Sequence, residues 1–534
     1  MANLCKPLIP LWLIPGLVAT ITIIVVATSV FISLWTHAPQ LELYSMWQDD
    51  YLWSVVRFTF WQAFLSAVSS VSPALLLARA LFYRRFIGRQ LFLQLFAMTI
   101  VLPILVAIFG ILKVYGKQGW LAQIYGLFGI HYTFSLYGLQ GILLAHIFFN
   151  MPLATHLLLQ ALEEIPTEQQ QLAAHLRMNN WQKFIVVEWP YLKRQFLSAG
   201  VLIFMLCFSS FAIALSLGGG PQATTISLAI YQALSYDYDL GRAAFLSMLQ
   251  IFSCFSLVLC IKKISGILPI SHTQHIKWRN TITGLPSLFC DMLIIFCALL
   301  LILPPLIAVV IDGVNQSVPD TLIHPILWQA ILTSLKISVC SGVLAVFLTM
   351  MLLWTSRELY LRQLGWVGQK IEITGMMILG IPSIILATGF FVMLTDTIGI
   401  PQSAYGVVIL INALMAIPYT LTVLENPMRD LAQRYNPICL SLRIHGFNRL
   451  RIIELKLLAR PLYQAMAFSC VLSMGDFGVI ALFGNEKFLT LPLYLYEQIG
   501  AYRTQDGSVT ALLLLILCFL LFTLLQLLSG RDRL

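Results

Sequence analysis

Charged side chains are scarce in this chain. Only 10% of its 534 residues are Asp, Glu, Lys or Arg, whereas these residues make up about 25% of a typical soluble domain. Apolar residues account for 59% of the sequence. This balance excludes an ordinary soluble domain and indicates an integral membrane protein that lies in a lipid bilayer.

Motifs for catalysis and metal binding are also missing from the sequence. It has no G-x-x-x-x-G-K-[ST] loop, which would hold the phosphates of ATP, and no H-E-x-x-H motif. The ten cysteines form no C-x-x-C pair, and the nine histidines show no ligand spacing. We therefore expect no enzyme activity, cofactor, metal site or disulfide in this chain. We interpret His146 as a packed or hydrogen-bonded residue.

Long apolar stretches run through the whole sequence. A helix needs about 20 apolar residues to cross a hydrocarbon core of about 30 Å. Twelve stretches meet this need, at 11–34, 54–82, 91–113, 137–160, 197–217, 243–261, 286–311, 328–354, 373–394, 404–424, 462–483 and 509–529. The sequence therefore predicts an all-α integral membrane protein with about twelve transmembrane helices, six in each half.

The formal net charge of +9 raises the question of a nucleic-acid partner. Of the 32 Lys and Arg residues, 25 lie at the two termini and in alternate loops, at 79–90, 163–196, 262–285, 355–371 and 425–461. This distribution follows the positive-inside rule, which places basic loops in the cytoplasm. We predict that both termini and these loops are cytoplasmic, and we expect no nucleic-acid partner.

The second half of the sequence repeats the first at one constant offset, which is the spacing between Pro152 and Pro418. Other identities at this repeat offset include Arg177 and Arg443, Glu188 and Glu454, Phe211 and Phe477, and Gly218 and Gly484. One register held over such a length indicates a duplicated domain. We predict two modules, 1–266 and 267–534.

The two longest basic loops, 163–196 and 425–461, occupy equivalent positions in this repeat. In the first, Pro166 suits the start of a short helix, Asn179-Asn180 would end it, and a second short helix would begin at Trp181. In the second loop, Gly446 and Phe447 replace Asn180 and Trp181. Such a helix pair could lie on lipid headgroups or dock on a soluble partner.

The residues of the first loop carry a family resemblance. The spacing of Gln171, Ala173, Arg177, Val187 and Pro190 resembles the E-A-A-x-x-x-G-x₉-I-x-L-P signature, or EAA motif, of the membrane subunits of ATP-binding-cassette importers. The second loop repeats the pattern around Arg443. The chain is most similar to the fused double-module permeases of thiamine importers, through the segments 217–225, 231–239 and 424–430.

This resemblance implies a type I importer permease fold in a bacterial inner membrane. It implies that two copies of a separate ATPase subunit, which binds ATP and Mg, dock on residues 163–190 and 429–456. It also implies a periplasmic substrate-binding protein and the transport of thiamine or thiamine phosphates. The residues it assigns to ATPase coupling are Gln171, Ala173, Arg177, Trp181, Glu188 and Pro190, with Arg443, Gly446, Phe447 and Glu454 in the second half.

The chain departs from the family signature at two repeated positions. Arg177 and Arg443 stand where the family has glycine. We therefore expect Asn179-Asn180 and His445-Gly446 to make the sharp turns instead. Each arginine could contact the ATPase or lie in solvent. Glu188 and Glu454 could contact it too, or form local salt bridges, for Glu454 with Arg449 or Arg451.

Two other functions remain open at this point. A ferric-iron importer permease is also a fused double module. A secondary transporter often has twelve helices and internal repeats, but it would be expected to carry ionisable residues inside its helices. Few such residues occur here, chiefly Asp291 and Asp476.

Asp476 is a candidate for the substrate path. It falls in the eleventh predicted span, where its repeat partner is the uncharged Ser210, and it is followed by the repeated pair Phe477 and Phe211. A carboxylate beside aromatic rings could attract the cationic thiazolium of thiamine. The alternative is that Asp476 bonds a neighbouring helix and fixes packing.

Overall fold

The structure is a computed structural model that describes residues 12–37, 48–265, 285–395, 400–444, 446–485 and 488–530. Helices form most of this part of the chain. Those of the first half are α1 (Ile14–His37), α2 (Asp50–Tyr83), α3 (Arg89–Val101), α4 (Ile104–Tyr115), α5 (Trp120–Leu127), α6 (Leu139–Glu163), α7 (Thr167–His175), α8 (Asn180–Lys183), α9 (Trp189–Phe208), α10 (Ala212–Leu217), α11 (Ile226–Ser235) and α12 (Leu240–Ser265).

The second half begins with α13 (Leu285–Gly313). The helices that follow are α14 (Val318–Ile323), α15 (Pro325–Leu361), α16 (Gly365–Met376), α17 (Ser383–Thr395), α18 (Ile400–Ser441), α19 (Gly446–Arg449), α20 (Leu455–Leu457), α21 (Ala459–Gly475), α22 (Ile480–Phe483), α23 (Leu491–Gly500) and α24 (Thr504–Gly530). Two π-helical segments, Phe184–Glu188 and Leu450–Glu454, and two 3₁₀ turns, Pro221–Ala223 and Met377–Gly380, complete the helical elements of the described residues.

The apolar stretches form helices, as predicted. Within the described ranges, ten helices are long and apolar enough to cross a membrane, or eleven when one bent pair counts as a span. The predicted span 462–483 has no counterpart among them. There α21 has 17 residues and ends at Gly475, before α22 begins at Ile480. The prediction of an all-α membrane fold is confirmed.

Prolines break two of the predicted spans. The stretch 91–113 is divided into α3 and α4 at Pro103, and the stretch 373–394 is divided before Pro382 into segments that meet at 85°. The residue before each proline is extended, with ψ of 128° at Leu102 and 108° at Ile381. Proline disfavours the helical conformation in its predecessor, which explains both breaks.

Contacts between Cα atoms divide the chain into two compact units. One unit holds Met1–Glu42, Ile230–Ile251 and Gln316–Leu534, as far as they are described. In it, α1 packs on α15, α16 and α17. The backbone N–H of Gly16 donates to Oγ1 of Thr355 over 2.8 Å. The first helix of the sequence therefore packs on helices of the second half.

The other unit holds Leu43–Ala229 and Phe252–Asn315, again as far as they are described. In it, α13 packs on α2 and α4. Nε of Arg84 lies 2.7 Å from Oδ2 of Asp291, and Nζ of Lys113 lies 3.4 Å from Oδ2 of Asp312. The first helix of the second half thus packs on helices of the first. The predicted module boundary at residue 266 stays a prediction about the sequence repeat.

Buried polar side chains tie helices together inside each unit. Nδ1 of His146 lies 2.8 Å from Oγ of Ser66, so His146 is hydrogen-bonded as predicted. The N–H of Ile226, which begins α11, donates to Oγ1 of Thr59 over 3.0 Å. In the other unit, the N–H of Leu491 donates to Oγ of Ser334 over 2.8 Å. A hydroxyl from α2 or α15 thereby satisfies an N–H that would lack a partner at the helix start.

Gly110 allows α4 to approach α13 closely. A Cβ atom at this position would clash with the backbone carbonyl of Pro305. We expect Gly110→Ala to destabilise the protein by about 1–3 kcal/mol, as overpacking does in other cores. The apparent melting temperature of the purified protein would measure this effect. Gly126→Ala is the matched control, because a Cβ atom there meets no atom within 4 Å. Equal melting temperatures for the two variants would contradict the prediction.

Candidate coupling segments

The first repeated segment, 163–190, turns sharply at Arg177. After α7 ends at His175, Arg177 has a left-handed backbone with φ of 49°. Its N–H donates to the carbonyl of Ala174 over 3.0 Å, and the N–H of Met178 donates to the carbonyl of Ala173 over 3.1 Å. These are the two bonds of a Schellman motif, whose left-handed position is usually glycine. Arg177 therefore makes the sharp turn at the position where the similar EAA signature has glycine.

The second repeated segment, 429–456, has the same turn. Arg443 has φ of 54°, its N–H donates to the carbonyl of Leu440 over 3.3 Å, and the N–H of Ile444 donates to the carbonyl of Cys439 over 2.9 Å. Each bond matches one in the first segment at the repeat offset. The predicted start of the loop at residue 425 is wrong, because the helix α18 continues to Ser441.

The expectation that Asn179-Asn180 would make the first turn is wrong. Asn179 instead begins the next helix through a capping box. Its Oδ1 accepts the N–H of Gln182 over 2.8 Å, and Oε1 of Gln182 accepts the N–H of Asn179 over 3.1 Å. In the second segment, Gly446 has φ of 58°, and His445 lies outside the described residues.

The second short helix expected after Trp181 is not a separate element. The helix α8, the π-helical segment Phe184–Glu188 and α9 follow one another without a gap. The π-helical segment of the second half, Leu450–Glu454, lies at the repeat offset from the first. A π-helical turn is rare and occurs often at functional sites. In both halves it ends on the repeated glutamate.

Glu188 is buried and paired with α2. Its side chain is 0% exposed, with Oε2 2.7 Å from Nε of Arg79. The hydroxyl of Tyr83 donates to Oε1 over 2.6 Å. A terminal nitrogen of Arg79 also donates to the carbonyl of Asn180 over 3.2 Å. The guanidinium of Arg79 therefore contacts both the first residue of α8 and the buried glutamate.

Glu454 is buried in the same way but has different partners. Its side chain is 0% exposed, and Oε1 lies 2.9 Å from Nε of Arg449. It also pairs with Arg357, which lies on α15 and is buried. The local pair with Arg449 is thus present, whereas Arg451 is exposed. Removing one partner of such a buried pair costs about 3–5 kcal/mol, because the other charge is left uncompensated.

The remaining residues assigned to coupling divide by exposure. The exposed ones are Gln171, Arg177, Trp181, Pro190, Arg443 and Gly446. Ala173 is buried at the end of α7. The backbone of Phe447 belongs to α19, but its side chain lies outside the described part.

Exposed aliphatic side chains at matched positions were not identified from the sequence. The pairs at the repeat offset are Leu172 and Ile438, Leu176 and Leu442, and Val186 and Ile452. Their exposed fractions lie between 49% and 64%. The signal was available in the repeat, because an aliphatic residue recurs at each of these positions within a polar segment.

Asp476 lies at a helix break, so its placement within a continuous span was wrong. It follows the end of α21, and its Oδ2 accepts the N–H of Val479 over 3.3 Å just before α22 begins. The residue Asp476 is half-buried. The ring of the buried Phe477 has its centroid 5.0 Å from that of Tyr496. Asp476 thus satisfies a backbone N–H that the break releases, as irregular backbone in a membrane requires.

The first half has a break at the equivalent place. There α9 ends at Phe208, and α10 begins at Ala212. Ser210 and the buried Phe211 lie between them. The two breaks coincide in the repeat, but only the second contains a carboxylate.

Comparison with known proteins identifies the class. Residues 70–261 match the family described as binding-protein-dependent transport system inner membrane component. The chain is therefore an inner membrane permease component of a transport system, which agrees with its all-α fold and its apolar helices.

Relatives that extend over nearly the whole chain narrow this class, and the chain belongs to the family of thiamine transport system permease proteins. The protein of that description from Escherichia coli (strain K12) is 60% identical over 532 residues, which cover 100% of this chain and 99% of the relative. The one from Haemophilus influenzae is 41% identical over 94% of this chain and 93% of the relative. The one from Brucella abortus (strain 2308) is 39% identical over 89% of this chain and 87% of the relative. Neither a ferric-iron permease nor a secondary transporter is favoured by these matches.

Proposed function

We propose that this chain is the membrane-spanning part of an ATP-driven importer for thiamine and its phosphates. A periplasmic binding protein delivers the substrate, and two copies of a separate ATPase subunit hold ATP and Mg²⁺, so the chain itself holds no cofactor. The observation that carries the substrate assignment is the 60% identity over the full chain to a thiamine transport system permease protein.

The repeated segments support docking of two identical partners. Each presents an arginine in a Schellman turn and three exposed aliphatic side chains, all at matched positions of the repeat. Helices with exposed apolar anchors fit grooves on protein partners. A helix that merely rests on lipid headgroups has little reason to recur at a constant register. The basic residues of both segments favour the cytoplasmic side, where ATP is available.

Reconstitution in proteoliposomes tests this function. The permease with its ATPase subunit should accumulate radiolabelled thiamine when the thiamine-loaded binding protein and ATP are supplied, and the loaded protein should stimulate ATP hydrolysis. ATP should act only from the side of the membrane that bears residues 163–190, which limited proteolysis can locate. Stimulation by a ferric-iron-loaded binding protein, or uptake driven by an ion gradient without ATP, would contradict the proposal.

Arg177 and Arg443 should contribute to coupling through their charge. We expect the double variant Arg177→Glu with Arg443→Glu to reduce thiamine uptake per ATP hydrolysed by about tenfold, a common size for coupling between sites. The double glycine variant is the matched comparison, because glycine suits the left-handed turn and removes the cation. Uncoupling by both variants, at normal membrane insertion, would assign the effect to the charge. Normal uptake in the double Glu variant would contradict it.

Asp476 is proposed to line the substrate path. Asp476 is half-buried at a break in the membrane helices and precedes Phe477 in the sequence. Discontinuous helices often form the substrate sites of transporters, and a carboxylate beside an aromatic ring suits a cation. Ser210 and Phe211 would line the corresponding break in the first half.

Replacement of Asp476 by Asn separates this role from helix capping. Asn keeps the side-chain oxygen that accepts the N–H of Val479 but removes the negative charge. We expect Asp476→Asn to lower thiamine uptake by about tenfold, which corresponds to about 1.4 kcal/mol, with normal assembly and basal ATP hydrolysis. Unchanged uptake would leave Asp476 with a capping role alone.

A further inference from the structure

We propose that Glu188 and Glu454 are positioning residues that fix the repeated coupling segments to the transmembrane helices α2 and α15. Each holds its segment through a buried ion pair, so that displacement of the segment moves the helix. The inference rests on the proposed function, since it concerns how ATPase movement reaches the membrane domain. It goes beyond that function by naming the internal connection.

The first support is the contrast between the glutamates and their neighbours. Between the two halves, Lys183 becomes Arg449, Phe184 becomes Leu450, and Trp189 becomes Leu455, while the glutamate stays the same. In both halves it is the last residue of a five-residue π-helical segment and is 0% exposed. The carboxylate is the same in both halves although its neighbours differ. Because it is fully buried, it cannot contact a partner protein, so its role lies inside the chain.

The second support is the geometry of Arg79. This residue is on α2, yet it bonds the segment at two separate points, Oε2 of Glu188 and the carbonyl of Asn180. Its guanidinium carbon also lies 5.2 Å from the ring centroid of Phe184, between those two points in sequence. Three attachments to one planar group fix both the position and the rotation of the segment against α2.

The third support is that the second half builds the same connection from other residues. Arg357 of α15 pairs with Glu454, so a transmembrane helix again supplies a cation. Arg449, the counterpart of Lys183, also pairs with Glu454 and donates to Oδ1 of Asn436 over 3.0 Å. Asn436 lies on α18. The glutamate therefore joins the segment to the core in both halves, although the cations come from different positions.

An ion pair of this kind suits the transmission of movement. Apolar side chains can slide past one another, whereas a charge-assisted hydrogen bond holds its atoms within a few tenths of an ångström of one distance. If the two charged groups of a buried pair move apart, each becomes an uncompensated charge in an apolar environment. The helix must then follow the segment rather than separate from it.

Arg79→Lys tests the proposal without removing the charge. Lysine has one nitrogen on a flexible stem and lacks the planar fork that reaches Glu188 and Asn180 together. We expect the variant to assemble with its ATPase subunit at wild-type level and to hydrolyse ATP, but to import at least about fivefold less thiamine per ATP. Arg84→Lys is the matched control, because Arg84 follows α2 but pairs with Asp291 on α13. It should keep the wild-type ratio.

A second variant separates coupling from folding. Arg79→Gln combined with Glu188→Gln replaces the ion pair by a neutral pair, so neither Arg79 nor Glu188 is left as the unpaired charge that a single substitution would create. The proposal expects this double variant to assemble and to remain uncoupled. A wild-type ratio of uptake to hydrolysis in either variant would overturn it, and so would loss of assembly in both, which would assign the pair to folding. Absence of thiamine-dependent hydrolysis in the wild-type complex would instead reject the proposed function.

Discussion

The bilayer leaves backbone amides and carbonyls only protein partners, and much of this structure follows from that constraint. Long helices satisfy it along their length, so the places that need explanation are the ends and breaks. At three of them a side-chain oxygen accepts a backbone N–H. Thr59 and Ser334 accept the first N–H groups of α11 and α23, and Asp476 accepts the N–H of Val479. Polar side chains inside the apolar helices thus supply partners to backbone groups that an interrupted helical ladder leaves open.

Charged side chains inside the membrane protein also need partners. Buried charged groups are costly unless they are paired, and the buried glutamates of both repeated segments have cationic partners on transmembrane helices. Arg84 and Asp291 form a further pair between α2 and α13. Each of these pairs joins elements that are far apart in sequence. These ion pairs thus connect helices, whereas Arg177 and Arg443 are exposed on the turns of the repeated segments.

Hydropathy and the repeat predicted the class of fold and the location of the two segments. They did so because both signals are local, either a long apolar run or one constant offset. The packing of α1 on α15 and α17 could not be predicted in this way, since an apolar helix carries no mark of its neighbours. The partners of Glu188 and Glu454 were missed for a similar reason. Arg79 and Arg357 lie far from the glutamates in sequence, and no periodic pattern links them.

The turn at Arg177 shows that a left-handed position can fall on a residue that does not favour it. Local preference assigned the left-handed turn to Asn179-Asn180, but the hydrogen bonds of the Schellman motif place it at Arg177. An arginine there costs roughly 1–2 kcal/mol relative to a right-handed conformation. That cost is incurred twice, at matched positions, where the family signature has glycine. Strain kept in both halves is difficult to explain by packing, because both side chains are exposed.

The differences between the halves are as informative as the identities. Glu188 and Glu454 match, although their cations on the transmembrane helices, Arg79 and Arg357, do not, which indicates that the connection and not a particular pair is required of both segments. Asp476 has no counterpart, because Ser210 occupies the equivalent break. Two identical ATPase subunits would need equal docking segments, whereas one asymmetric substrate passes through the membrane once and needs no such symmetry. We therefore assign the repeated arginines and glutamates to the proposed energy coupling, and the unrepeated Asp476 to the proposed substrate path.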